Sequence, residues 1–151
     1  MQRIQMAAVL VLALAATGCT SAAEVQAQRD RCAEARTRAE KAFVPFSESV
    51  RRLQGHASTI NAKSETAVRN AEGTDDPEAA KKEIIKASGI ADAQAMAIDA
   101  KKRQADYEDA IKDWKGEAKR LKDMDRDAGN ETEKEIKQFE RDATAKIAMG
   151  K

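Results

Sequence analysis

Three observations predict an all-α fold: a long antiparallel helical hairpin with coiled-coil-like seams and a short third helix. Charged residues make up 35% of the chain and aromatics only 3%. Ala is abundant while Gly and Pro are few, the profile of long helices rather than of a thick globular core. Apolar or small residues recur every seven positions along the first half, a helical period. No alternating run of Val, Ile, Thr and aromatics marks a strand.

The first helix is expected over 22–72. Val25, Cys32, Ala39, Phe46, Leu53, Ile60 and Ala67 keep the strict period, and Ala35, Ala42, Phe43, Val50, Ala57 and Ala71 widen it into a seam. Pro45 lies inside this segment, where a proline removes one backbone hydrogen bond and crowds the preceding turn. It either kinks the helix or divides it in two. The seven-residue phase survives across it, so a kink is the expectation.

Gly73-Thr74-Asp75-Asp76-Pro77-Glu78 reads as the hairpin turn, with Gly73 closing one helix, Asp76 capping the next and Pro77 at its first position. A second helix is expected over 77–128. Its seam is read as Ile84, Ala91, Ile98 and Ala105, then Tyr107, Ile111, Trp114, Ala118, Leu121, Met124 and Ala128. Trp114 and Tyr107 read as core. Glu78–Lys82, Asp99–Arg103 and Glu108–Lys112 have the four-residue spacing of helical ion pairs. Gly129-Asn130 reads as the next break, followed by a short helix over 130–148 with Ile136, Phe139, Ala143 and Ile147 inward. The two long segments are nearly equal and joined by a short connection, which favours antiparallel packing. Residues 22–151 are thus expected to form one helical domain.

The start of the chain has a different character. Arg3 is followed by an apolar run over 4–16 and by Thr17-Gly18-Cys19. That is a charged start, an apolar stretch of about 13 residues and a small-residue cleavage site, too short to span a bilayer as a helix. The segment resembles the signal peptide of bacterial lipoproteins, although that box prefers Leu where Ala16 stands. The resemblance implies that residues 1–18 are cleaved and that Cys19 is the acylated first residue of the mature chain, residues 19–21 forming its lipidated end. Membrane attachment through several acyl chains would follow, since one chain alone binds marginally. Thr20 in place of Asp after the cysteine implies, by the same resemblance, the outer membrane and a periplasm-facing chain. The terminal Lys151 is similar to that of the major murein lipoprotein, whose last lysine is joined to peptidoglycan. Met149-Gly150 stands here where that family has Tyr-Arg, and Lys151 is kept as a candidate attachment point.

With Arg3 removed, the mature chain is formally neutral, with both signs finely mixed. That gives no electrostatic footprint for nucleic acid. His56, the single histidine, has no second histidine or neighbouring cysteine for zinc or nucleophile chemistry, and reads as a solvated or boundary residue. Asp123, Asp125 and Asp127 have EF-hand spacing, but positions six and twelve are Ala128 and Lys134. Only a loop stretched by one residue would recruit Gly129 and Glu135, so Asp123, Asp125, Asp127 and Glu135 are a calcium candidate on that condition alone. Cys32 lies in the first seam, as a small buried residue or as a thiol able to pair with its copy in a second chain. No catalytic set and no cofactor motif is discernible. The expected function is a non-enzymatic, lipid-anchored spacer or adaptor that meets an envelope protein or itself. A ligand- or calcium-binding envelope module and a peptidoglycan tether are the alternatives.

Overall fold

Helix α1 begins where Ser21 and Glu24 satisfy each other's backbone. Glu24 N–H donates to Ser21 Oγ at 3.2 Å and Ser21 N–H donates to Glu24 Oε2 at 2.8 Å, a capping box. The Ser21 N–H and the Ser21 hydroxyl, which donates to Oε2 at 2.9 Å, hold the Glu24 carboxyl below the usual carboxylate range. From there α1 runs as one helix over Ala22–Ala71, about 75 Å at 1.5 Å per residue. The computed structural model describes residues 20–71, 76–87 and 89–150. Pro45 lies inside α1 without ending it, so the division into two helices is excluded.

The turn residues 72–75 lie outside the described residues. Asp76 caps the next helix as expected: its Oδ1 accepts from Glu78 N–H at 3.0 Å and Ala79 N–H at 3.1 Å. The expected single helix over 77–128 is interrupted. It consists of α2, Pro77–Ala87, and α3, Ile90–Met124, separated at Gly89 in the left-handed conformation with φ 53°. The chain then turns at Asp125, and α4 occupies Arg126–Ala148. The break expected at Gly129-Asn130 therefore falls four residues earlier, and the last helix begins at Arg126 instead of 130.

Gly129 is a buried residue inside α4. A Cβ there would overlap Lys122 Cα, Cβ and N. The glycine is needed for the contact between two helix backbones, and not for a turn. The turn belongs to Asp125, whose Oδ1 accepts from Ala128 N–H at 3.1 Å.

Side-chain pairs fix the topology. Gln28 meets Glu117, Phe43 and Phe46 meet Tyr107, and His56 meets Gly89, so α1 and the α2–α3 arm are antiparallel. Arg36 meets Glu135 and Phe43 meets Phe139, so α4 returns parallel to α1. It ends beside Gln54, whose Oε1 would lie 3.7 Å from a Cβ on Gly150. The molecule is thus an all-α hairpin, three helices thick up to about Gln54 and two helices thick beyond.

The core follows that division. The cluster of Ala35, Ala39, Ile111, Trp114, Ala118 and Ile136, flanked by Tyr107, Ala110 and Phe139, lies in the three-helix part. All five aromatic residues join in one set of ring contacts, with centroids 5.6 to 6.4 Å apart. Trp114 is 1% exposed and Phe139 packs edge-on against it. Polar groups buried at this end are satisfied: Gln28 Nε2 donates to both Glu117 O, at 3.1 Å, and Glu117 Oε2, at 2.6 Å.

The α1 seam faces inward at all seven heptad positions, whereas Ala57 is exposed. The α2–α3 seam departs from expectation. Ala91, Ile98 and Ala105 are exposed, and Ala93, Met96 and Ala100 face inward instead. The left-handed residue at Gly89 resets the helical phase, so a seven-residue count carried across it points outward. Of the three expected ion pairs, only Asp99–Arg103 forms, at 3.3 Å.

Candidate functional site

Two of the sequence-derived sites, Cys19 with the segment before it and Lys151, lie outside the described residues. So does Asp75 of the hairpin turn.

The calcium candidate is not assembled. Asp125 is committed to capping α4, and its Oδ2 also accepts from Arg29 Nη2 at 3.0 Å. Its carboxyl is held below the usual range, first by the Ala128 N–H and then by Arg29. Glu135 lies nearly three turns further along α4 and pairs with Arg36 at 3.6 Å. No group of three or more His, Cys, Asp or Glu able to hold a metal ion occurs among the described residues. The stretched-loop reading fails because the intervening residues are helical on both sides of Asp125, not looped.

Cys32 is 5% exposed and free. Burial pushes its thiol up, and the Glu117 and Glu135 carboxylates add to the shift. Cys32 lines a small recess of about 140 Å³ with Trp114 and Leu121 of α3 and Thr132 and Glu135 of α4. This burial agrees with the reading of Cys32 as a small buried residue of the seam.

A recess lies where α4 stops covering the hairpin. His56, Thr59, Ile60 and Lys63 of α1 form one side of a cleft of about 630 Å³. Lys82 and Lys86 of α2, Gly89, and Asp92 in the first turn of α3 form the other. Gly89 shapes it twice. Its positive φ breaks the helix, and the absence of a side chain lets the chain pass against α1, since a Cβ would come within 3.3 Å of His56 Nε2 and Ile60 Cδ1. His56 Nε2 lies 3.5 Å from Gly89 O and donates to it in the tautomer that carries the proton there. The boundary reading of His56 thus holds, with a backbone partner across the hairpin.

Sequence reasoning named Lys82 only as an expected partner of Glu78 and did not single out Lys63 or Lys86, because lysines on helices of mixed charge carry no signal one by one. The usable signal was positional. Lys63 and Lys86 stand at nearly equal distances on either side of the turn at 72–75, so antiparallel pairing brings them together.

No helix among the described residues is long and apolar enough to cross a membrane. No protein-family model matches the sequence, and neither a curated protein nor a solved structure matches it.

Proposed function

We propose that the chain is a lipid-anchored lipoprotein of the cell envelope, held in the outer membrane by acyl chains on Cys19 and facing the periplasm. Its helical hairpin would act as a non-enzymatic spacer or protein-interaction adaptor. The observation that carries this reading is the shape of the fold. Helix α1 alone reaches about 75 Å, and the aromatic core lies in the three-helix half of the rod, the half that contains the start of α1. A rod that is reinforced near its anchor and thins beyond Gln54 suits reach better than enclosure of a substrate.

The test is an intact mass of the mature protein from lysozyme-treated envelopes. The expected mass is that of residues 19–151 plus acyl chains. An acyl-free mass overturns the anchoring, and an added muropeptide turns the spacer into a tether to the wall through Lys151.

A further inference from the structure

We propose that the cleft at the Gly89 break is a binding site for a phosphate-bearing ligand. Three lysines, Lys63, Lys82 and Lys86, line one recess from two different helices. None of them forms an ion pair with a described residue, in a protein where eight other such pairs do form. Three positive charges against the single acid Asp92 leave the recess with an excess of positive charge, which an anion relieves.

The rest of the lining fits the same class. Each ammonium supplies three donors. The amino-terminal turn of α3 forms part of the wall through Gly89 and Asp92, and its first amides have no intrahelical acceptor. Ile60, Thr59 and the lysine stems give the recess apolar surface for the body that carries the phosphate. A volume of about 630 Å³ exceeds what one bare phosphate fills and lies in the range of small-ligand sites. Asp92 is the one acid among the lining residues, and it opposes the anion.

The shared chemistry is the phosphate group, which a soluble phosphorylated compound and a phospholipid headgroup both carry. The site does not depend on whether the chain is acylated, so its test is separate from that of the anchor. His56 is the only histidine and lies in the cleft, and Trp114 is the only tryptophan and lies in the distant core. The imidazole resonance of His56 is therefore a site-specific reporter, and Trp114 fluorescence is a control for the fold.

The full chain is titrated with pyrophosphate, and separately with vesicles of phosphatidylglycerol against vesicles of phosphatidylcholine, at constant ionic strength. A saturable change in the His56 signal with pyrophosphate supports a soluble ligand. A change with phosphatidylglycerol vesicles alone supports a headgroup. Lys63→Gln, Lys82→Gln and Lys86→Gln combined should weaken either response at least tenfold with Trp114 unmoved, and Asp92→Asn should strengthen it severalfold. A His56 response no larger than that to matched sodium chloride overturns the proposal, as does unchanged binding in the triple variant.

Discussion

Gly129 decides how closely α4 can approach α3, because any side chain there would enter the backbone space of Lys122. The contact is reinforced one turn later, where Lys122 Nζ donates to Glu133 at 3.0 Å. Gly129→Ala should push the helices apart and destabilise the fold by about 1–3 kcal/mol, the usual scale for overpacking, read as a lower urea midpoint. An unchanged midpoint would mean that the corner relaxes freely. Asp125, at the same corner, makes stability depend on pH. Its carboxyl is held below the ordinary value by the Ala128 N–H and by Arg29, so the folded state favours the ionised form. That stabilisation is fully present above the unfolded value near ~3.9 and is lost as pH falls through the lower folded value. Asp125→Asn keeps a capping oxygen but cannot ionise, so its melting temperature should fall less steeply than the parent's below about pH 4. Equal acid slopes in the two proteins would remove Asp125 as a source of the dependence.

At the scale of helices, the break between α2 and α3 rests on a single residue. Alanine at Gly89 would have to adopt positive φ, at a cost of about 1–2 kcal/mol, and its Cβ would press on His56 and Ile60. Gly89→Ala should therefore lower the unfolding free energy by about that amount. The loss should fall mainly on α2, as faster amide exchange over Pro77–Ala87. Such a residue also shows where the sequence was legible and where it was not. Helix existence, the inward face of α1, the Asp76 cap and the aromatic core could be read from period and capping chemistry, because each depends on residues a few positions apart. The positions of the breaks could not. Gly89 and Gly129 look alike in sequence, yet one supplies a backbone conformation and the other supplies room, and only the packed partner distinguishes them. The capping box at Ser21 and Glu24 was legible in principle, as Ser followed three residues later by Glu. The cleft was not, since it arises from residues on three helices brought together by the phase reset at Gly89.

At the scale of the whole molecule, the hairpin should be much more stable at one end than at the other. All five aromatic rings and the fully buried Trp114, Leu121 and Ile136 lie in the three-helix part, so most large apolar surface is removed from water there. Beyond Gln54 only two helices remain. Among the described side chains the buried apolar residue there is Ala67, while Val68 and Ile85 are 43% and 60% exposed. Local opening of a segment costs less free energy when it uncovers less apolar surface, so α2 and the facing residues 57–71 should open without unfolding the rest. Native-state hydrogen exchange checks this directly. Amides of α3 after Tyr107, of α4 in its middle turns and of α1 over 32–46 should exchange only through global unfolding, with the full denaturant dependence. Amides of α2 and of residues 57–71 should exchange through a smaller opening with a shallower dependence. If both ends share one opening free energy and one slope, the hairpin is a single cooperative unit and the thin end owes its stability to something other than apolar burial. If the slopes differ as expected, phosphate bound in the cleft should slow exchange in the thin end and leave the aromatic end unchanged, because ligand stabilisation reaches only the states that the ligand binding closes.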